Sequence, residues 1–440
     1  MKALRVSTTI NANIQNEINT SLIFHYLCSN ENVYRVRIAE DLGISIPAVS
    51  RAIERLIEEG FVIESEKIPT AKGKRAAELS VNTGKGILIG IDLIKNPTRI
   101  AVSDFRGTIL ERRNAFSLTD TTDVISELQS EVERTLEAHA SGITATNPAG
   151  NLRAICIGTP SAITDTNNPR VLVTLYRSLE GLDLAESLGR KYRIPIYVEN
   201  IVKLSALAEA NFGVAREYDS VAFVEVSNGI GLGIIIDDHQ LAGANGASGE
   251  LGFTLVGAEN LQYAAHHRGF LEQHASVEGI VWQAIEAVRK GEQSAMLEMA
   301  RGVPESITAA MVCQAALRGD PVARRIIDQA VQYLSVGIIN MVLILDPRVV
   351  VIGGDICRLP GLQELFIEPI RRNAERVVPF PMPPLAVSTL GDEAGIVGAS
   401  YHAIQSLITS HFPYKLTSLP ARASSRASSR AQPRSVKASS

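Results

Sequence analysis

Residues 37–61 read RIAEDLGISIPAVSRAIERLIEEGF, a pattern that predicts two short helices joined by a tight turn. Gly43 supplies the flexible position between the helices. Ser45 can cap the second helix, Pro47 falls in its first turn, where a missing N–H costs little, and Gly60 ends it. The apolar residues at helical spacing in the second helix are Val49, Ile53, Leu56 and Ile57. The sequence therefore predicts a helix-turn-helix with one core-facing stripe.

The outward face of the predicted second helix carries groups that suit a DNA-reading helix. Small and hydrogen-bonding side chains at its N-terminal end, followed by arginines, fit the base edges of a major groove. The residues expected to contact DNA there are Ser45, Pro47, Ala48, Ser50, Arg51 and Arg55. An ordinary helical hairpin with a solvated charged face would show the same local pattern, so that alternative stays open.

A basic hairpin follows the two helices. Residues 61–64 and 76–81 read as its strands, and its tip carries Lys72, Lys74 and Arg75, which we expect to lie on DNA phosphates. Such a wing favours DNA binding over the ordinary hairpin. The predicted winged helix-turn-helix domain spans residues 1–82, and a short polar linker follows it.

The bulk composition describes a soluble protein of several domains. A chain of 440 residues exceeds one hydrophobic core, and 45% hydrophobic with 20% charged residues is ordinary for a globular protein. The formal net charge of −4 argues against non-specific coating of nucleic acid. It leaves room for a small DNA-reading module whose basic residues are local.

The cysteines and the apolar runs indicate the compartment. Cys28, Cys156, Cys313 and Cys357 are far apart, which predicts buried thiols in a reducing environment and neither a disulfide frame nor a metal site. The N-terminal residues lack an apolar signal core, and no apolar run approaches a membrane span. We therefore expect a cytoplasmic protein with no membrane partner.

Beyond residue 86 the chain alternates β-branched strands with helices, which indicates an α/β architecture. Two strand meanders, beginning near Ile87 and Ser220, suggest a duplicated fold with a cleft between two lobes. The expected bounds are 86–199 for the first lobe, completed by a C-terminal helix at about 392–410, and 200–391 for the second. Residues 415–440 are rich in serine and arginine, and we expect them to be disordered. They either add a weak, salt-sensitive attraction to DNA or have no specific role.

Several stretches of the large domain combine glycine with polar residues at predicted strand ends. They are GID at 90–92, VEN at 198–200, NGIGLG at 228–233, GASGELG at 246–252 and VIGG at 351–354. A lone glycine-rich turn often serves only turn geometry. Several of them in a two-lobed chain let the backbone approach phosphates or another ligand in the cleft.

Taken in order, and together with GDEAGIVGA at 391–399, these stretches resemble the ROK family (repressors, open reading frames and sugar kinases) of the actin/hexokinase-like superfamily. The resemblance covers nearly the whole chain up to about residue 410. A winged helix-turn-helix ahead of the domain resembles the repressor branch, whose members respond to xylose or N-acetylglucosamine. It implies a homodimer or homotetramer that binds operator DNA under the control of a small-molecule effector such as a sugar.

The chain departs from the family's kinases at two motifs. Those kinases take a proton from a sugar hydroxyl with the Asp of a Glu-Asn-Asp motif. This chain reads Glu199-Asn200-Ile201, and isoleucine accepts no proton. The phosphate-binding motif Asp-x-Gly-x-Thr corresponds to DLIKNPT at 92–98, which lacks the glycine. We therefore expect no kinase activity; the alternative is a sugar kinase with an accessory DNA-binding domain.

The metal and sugar motifs of the family are only partly present. The zinc-binding histidine corresponds to Phe253, and residues 262–272 contain no cysteine, so we expect no zinc and no cofactor. By motif position, the sugar-contacting residues are Asn200, Glu250 and Glu272. The two carboxylates can instead satisfy each other or loop N–H groups. A further alternative is a regulator whose large domain only dimerises or binds a protein.

Overall fold

The N-terminal unit has the winged helix-turn-helix arrangement that the sequence predicts. The computed structural model describes residues 12–65, 68–69, 75–144, 147–160, 162–164, 170–173, 177–179, 181–263 and 268–412. The elements of this unit are α1 (Ala12–Ser29), α2 (Arg35–Leu42), α3 (Ile46–Glu58), β1 (Val62–Glu64), β2 (Ile68–Pro69), β3 (Arg75–Ala76) and β4 (Leu79–Val81). Strand β1 pairs antiparallel with β4, and β2 pairs antiparallel with β3, which forms the base of the wing.

The helix-turn-helix forms for the reasons visible in its sequence. Gly43 ends α2 at φ 65°, a left-handed conformation that glycine adopts without a steric penalty, and its N–H bonds the Ala39 carbonyl. The core-facing stripe of α3 is confirmed, with Val49, Ile53 and Leu56 buried and Ala52 added to it. This stripe packs against α1.

The first lobe is built around a five-stranded sheet. Its elements are β5 (Ile87–Asp92), β6 (Arg99–Asp104), β7 (Ile109–Asn114), α4 (Val124–His139), β8 (Leu152–Thr159), β9 (Ala162–Thr164), β10 (Arg170–Val173), α5 (Leu184–Tyr192) and β11 (Ile196–Asn200). The strand order is β11-β8-β5-β6-β7. Strands β5, β6 and β7 form an antiparallel meander, while β8 and β11 add parallel strands on the other side of β5.

The second lobe repeats this topology and adds a helical layer. Its elements are α6 (Ile201–Phe212), β12 (Val221–Val226), β13 (Ile230–Ile236), β14 (His239–Gln240), α7 (Phe270–Ala275), α8 (Val277–Arg289), α9 (Ala295–Met299), α10 (Ala309–Leu317), α11 (Pro321–Leu345), β15 (Val349–Gly353), α12 (Glu368–Val377) and β16 (Leu385–Val387). The order β14-β13-β12-β15-β16 has the meander and the two parallel strands in the same places. The predicted duplication is confirmed.

The glycine-rich stretch at 228–233 is not the turn that the sequence suggests. Strand β13 begins at Ile230, so only residues 227–229 form the turn. A Cβ on Gly231 would lie 2.7 Å from a methyl of Val202, and one on Gly233 would lie 2.4 Å from the Cβ of Ala206. These two glycines therefore let α6 pack directly on the strand and do not approach a ligand.

Helix α11 is long and apolar enough, by length and composition, to cross a membrane, and 61% of its most apolar window is buried inside the protein. Its buried residues, among them Ile326, Ile338 and Val342, belong to the hydrophobic core of the second lobe. Core helices of folded domains can be equally long and apolar, and the packing of α11 is that of a core helix.

A last helix, α13 (Ala394–His411), packs on β5 of the first lobe and on α6. Near the start of α13, the buried carboxylate of Glu209 on α6 holds the connecting segment. It accepts hydrogen bonds from the Ser388 hydroxyl at 2.5 Å and from the Leu390 N–H at 2.9 Å. The segment between β16 and α13 is thus fixed to α6.

Candidate DNA-binding surface and interlobe cleft

The predicted DNA-contacting residues of α3 mostly face outward. Ser45, Pro47 and Arg51 are exposed, and Ala48 and Ser50 are half-buried. All five belong to the N-terminal half of the helix or precede it, which is the part of a recognition helix that reaches base edges. The structure brings them onto one end of the helix, opposite the buried stripe.

Ser45 occupies the N-cap position of α3, but its side chain makes no capping hydrogen bond. A capping hydroxyl accepts from the N–H at the second or third helical position. Pro47 is the second residue and has no N–H, while the N–H of Ala48 bonds the Ser45 carbonyl at 2.9 Å. The predicted side-chain cap is therefore wrong, and the exposed hydroxyl keeps its hydrogen-bonding capacity for an outside group.

Arg55 is placed differently from the rest of the predicted set. Its guanidinium lies over the ring of Phe412, 4.6 Å from the centroid, at the end of α13. A cation over an aromatic face is attracted to it by the ring quadrupole. Arg55 therefore contacts the large domain, and its assignment to DNA stays a prediction without support from this geometry.

The wing residues lie at the limit of the described chain. Lys72 and Lys74 fall outside the described residues. Arg75 begins strand β3, where its backbone pairs with Pro69. Their contact with phosphate stays a prediction from the sequence.

Sequence reasoning missed Ile46, the first residue of α3. Its side chain is 51% exposed, although isoleucine is usually buried. An apolar group at the N-terminal end of a recognition helix can contact the methyl group of thymine. Its position directly after the predicted N-cap was the available signal.

The winged unit is attached to the first lobe by aromatic residues. The ring of Phe61 lies 5.8 Å from Phe105, at the end of β6, and 6.1 Å from Phe412. The Lys85 ammonium lies 3.9 Å from the centroid of the Phe61 ring. The three phenylalanines and the buried residues of α1 belong to one hydrophobic core that continues into the first lobe. We call this attachment the joint.

In the cleft, Asn200 ends β11 and begins α6. Its side-chain oxygen accepts from the N–H groups of Val202 at 2.8 Å and Lys203 at 3.4 Å. This is the usual bonding of an asparagine N-cap. The capping bonds fix the direction of the side chain.

Glu272 is buried at the first turn of α7, and both of its carboxylate oxygens accept from loop N–H groups. They bond the N–H of Ile230 at 3.0 Å and that of Gly269 at 2.9 Å. A Cβ on Gly229 would lie 2.7 Å from one of these oxygens, so the loop approaches the carboxylate closely because it has no side chain there. This is the alternative to sugar contact that the sequence left open.

Glu250 lies close enough to Glu272 for their charges to interact. Burial raises the pKa of the Glu250 carboxyl, the negative charge of Glu272 raises it further, and Lys203 opposes the shift. The buried ammonium of Lys203 donates to the carbonyls of Gly246 at 2.6 Å and Ala242 at 3.2 Å. Sequence reasoning missed this lysine, whose signal was a charged side chain within the apolar first turns of the helix.

Ile201, at the position of the kinase base, is fully packed. A Cβ on Gly158 would lie 2.2 Å from the Cδ1 of Ile201, and one on Gly395 would lie 2.8 Å from it. Its side chain thus fills the space between β8 and the start of α13 with hydrocarbon. No proton can be accepted by this side chain.

The phosphate corner of the cleft, between the ends of β5 and β12, is filled by charged groups. Burial raises the pKa of the Asp92 carboxyl to about 6 and that of Glu225 to about 7. The positive charge of Lys95 opposes both shifts without cancelling them. The cavity there measures about 10 Å³, which is room for about one water molecule.

The region that corresponds to the family's zinc site lacks the histidine and cysteine ligands of the family. Phe253, in the turn Leu251–Phe253, offers only hydrocarbon where a histidine would ligate, and the following loop has no thiolate. Within the described residues no three His, Cys, Asp or Glu side chains gather as ligands. The adjacent His266 and His267, a pair that suits either a metal ion or a simple exposed loop, fall outside that part of the chain. The absence of zinc stays a prediction from the sequence.

A winged helix-turn-helix joined to a duplicated, two-lobed domain of the actin and hexokinase type defines a class of proteins in which DNA binding and a ligand cleft share one chain. The chain belongs to the ROK family. The model of that family matches residues 88–406, and the model "Winged helix-turn-helix DNA-binding" matches residues 21–63.

Its relatives include proteins named as repressors. The chain is 26% identical to the xylose repressor of Caldicellulosiruptor bescii over 91% of this chain and 98% of the relative. It is 23% identical to the Escherichia coli K12 DNA-binding transcriptional dual regulator NagC, over 79% and 82%. A crystal structure of a ROK family transcriptional regulator, a homolog of the E. coli MLC protein, superposes with a TM-score of 0.72 at 21% identity, covering 90% of this chain and 97% of that one.

Proposed function

We propose that this protein is a sequence-specific DNA-binding transcriptional repressor whose operator binding is controlled by a sugar, or a sugar derivative, in the interlobe cleft. The observation that carries the proposal is the joint, because it packs the recognition helix and the first lobe into one core. A rearrangement of the lobes then reorients α3. The repressors among its relatives support the same conclusion.

The effector acts by binding one arrangement of the lobes more tightly than the other, since a ligand with equal affinity for both shifts nothing. Asn200 and Glu250 are the groups that face it, and Glu272 shapes the loop beneath. The protein works in the cytoplasm as a homodimer or homotetramer. Two winged units then bind half-sites about one helical turn, or a few turns, apart.

Chemistry on the sugar is not part of this function. The residue at the place of the base is the buried Ile201, and the phosphate corner holds Lys95 among carboxylates. Without a proton acceptor at that place, phosphoryl transfer to a sugar hydroxyl lacks its general base.

The test begins with selection of bound DNA from a random duplex library, because the operator is unidentified. The selected site is then used in mobility-shift titrations with D-xylose and with N-acetylglucosamine. We expect a discrete palindromic site and a loss of operator affinity with one of these sugars. Recovery of no preferred sequence would overturn the proposal.

The kinase alternative is tested by a coupled assay with ATP and each sugar. We expect no turnover from the wild-type protein, and turnover with Ile201 in place would refute our reading. The hydrogen bonds that occupy both oxygens of Glu272 favour a second alternative, in which the large domain only dimerises or binds a protein. Absence of thermal stabilisation by every sugar tried would favour that alternative.

A further inference from the structure

Lys95, in the segment after β5, reaches from the first lobe to the second. Its ammonium lies 3.3 Å from the Asp355 carboxylate, which follows β15 of the second lobe. It also lies 3.2 Å from Asp392, in the turn that leads to α13. The Lys95 side chain is only 15% exposed, so both ion pairs are shielded from solvent.

Two further carboxylates face the same ammonium from the buried side. Asp92 comes from the end of β5, and Glu225 from β12 of the second lobe; both are buried. Both line the same small cavity as Lys95, so they lie near its ammonium. Lys95 is therefore the positive group that four carboxylates from both lobes share.

The outer rim of this cluster is closed by arginines. Arg358 donates to Asp355 at 2.5 Å and also pairs with Asp392, while Arg99 of the first lobe lies 3.1 Å from Asp392. The Ser227 hydroxyl accepts from the N–H of Asp355 at 2.9 Å and holds that residue in place. The carboxylates of Asp355 and Asp392 are thus held in position by groups other than Lys95. Little side-chain entropy of these two residues is therefore lost when the ion pairs with Lys95 form.

We propose that Lys95 is an interlobe latch, a positioning residue whose ammonium holds the two lobes closed at the phosphate corner of the cleft. Removing the ammonium breaks its ion pair with Asp355 across the cleft and leaves the buried Asp92 and Glu225 without the cation in their cavity, which favours separation of the lobes. Arg358 and Arg99 keep their pairs with Asp355 and Asp392. The latch thereby sets how far the closed arrangement dominates before an effector binds. This regulatory role rests on the proposed function, whereas the closure itself does not.

Closure is measured by the distance between two spin labels, one on each lobe. The labels are attached to cysteines that replace Ser130 of the first lobe and Lys290 of the second. Cys28 and Cys357 are replaced by alanine so that they are not labelled. Double electron–electron resonance on the full chain should give one short distance for the wild-type background. The K95M variant should add a longer-distance population. Identical distance distributions in the two proteins would overturn the latch.

Two matched variants separate the latch from general effects of charge or folding. D355N removes the partner in the second lobe from a partly exposed site, and it should lengthen the distance as K95M does. K191M removes a lysine whose partner Glu133 lies in the same lobe, and it should leave the distance unchanged. An equal change in K191M, or none in D355N, would refute the assignment.

A final arm connects the latch to regulation. Mobility-shift titration of K95M on the selected operator, with and without D-xylose and N-acetylglucosamine, should show a sugar response that differs at least threefold from that of the wild type. If the wild type binds no specific DNA, the proposed function fails while the distance measurement still decides the latch. A lengthened distance with an unchanged response would remove the regulatory role of Lys95.

Discussion

Replacing Phe412 by alanine should loosen the joint between the winged unit and the first lobe. Phe412 is 1% exposed, its ring lies 6.1 Å from that of Phe61, and the Arg55 guanidinium lies 4.6 Å from its centroid. Alanine removes the whole ring and leaves a cavity between α3 and the end of α13. The ring is the group that couples the recognition helix to the large domain, so its removal should uncouple them.

The expected cost is about 3–5 kcal/mol for a buried phenylalanine truncated to alanine. Loss of the attraction between Arg55 and the ring adds about 0.5–1 kcal/mol. Since about 1.4 kcal/mol changes an equilibrium constant tenfold, a loss of about 3 kcal/mol raises the population of the undocked winged unit by a factor on the order of 100. Helix α3 keeps its packing on α1, and the first-lobe sheet keeps its strand pairing, so the two domains themselves should stay folded.

Hydrogen exchange followed by mass spectrometry measures the docking directly. Amides of the last turns of α3 and α13 should exchange faster in the variant, while those of the second-lobe sheet should not change. In mobility-shift assays the variant should still bind the selected operator but lose its response to sugar. The control is Phe380→Ala, because that ring is 37% exposed and lies away from the joint. Unchanged exchange in α3, or a full sugar response, would refute the coupling role of the joint.

Arg51→Ala should weaken operator binding about 10-fold or more while binding to random DNA changes little, because a base contact is worth about 1–3 kcal/mol; equal losses on both DNAs would assign Arg51 to phosphate. Ile46→Ala should abolish the sensitivity of binding to thymine-to-uracil replacement in the operator, and a wild type insensitive to that replacement at every position would contradict a methyl contact. Glu209→Gln should lower the free energy of unfolding in urea by about 2 kcal/mol, because it weakens charged hydrogen bonds to the segment before α13. The exposed Glu278→Gln serves as its control, and equal small effects would exclude the buried role. Since the pKa values of Asp92 and Glu225 are raised to about 6 and about 7, the folded protein binds more protons than the unfolded chain, and stability should fall as pH rises from about 4 to about 7; a constant urea midpoint would count against it.

The architecture could be predicted because its signals are local. Alternating β-branched residues located β5 from Ile87 to Asp92, and the helical stripe of α3 was readable from its period. The two meanders revealed the duplication. The start of α6 at Ile201 has no such local signal, because its first turn follows the Asn200 cap and is buried, and buried apolar residues there show no period.

The contacts that decide regulation could not be predicted in the same way. Arg55 resembled a DNA-contacting residue by its place on α3, yet its ring partner lies at the far end of the chain. In the sequence Lys95 belongs to a stretch that lacks the glycine of the family's phosphate motif, and nothing nearby indicates its ion-pair partners. Those partners lie in parts of the chain that are far from Lys95 in the sequence. Such pairs depend on how the sheets are stacked. The roles of Asn200 and Glu250 likewise follow from the family motif and stay predictions.

Helix α13 connects the cleft to the recognition helix, because one of its ends lies at each of them. At its start, a Cβ on Gly395 would lie 2.4 Å from the Asp92 carboxylate in the cleft, and its last turn leads into Phe412 under the recognition helix. Its 18 residues span about 27 Å at 1.5 Å per residue, so it forms a lever arm. A tilt of about 5° at the cleft end displaces the other end by about 2 Å, whereas hydrogen bonds tolerate only about 0.5 Å in length. If closure of the lobes tilts α13 by this amount, the recognition helix moves farther than a base contact tolerates, which is the coupling that the proposed function requires.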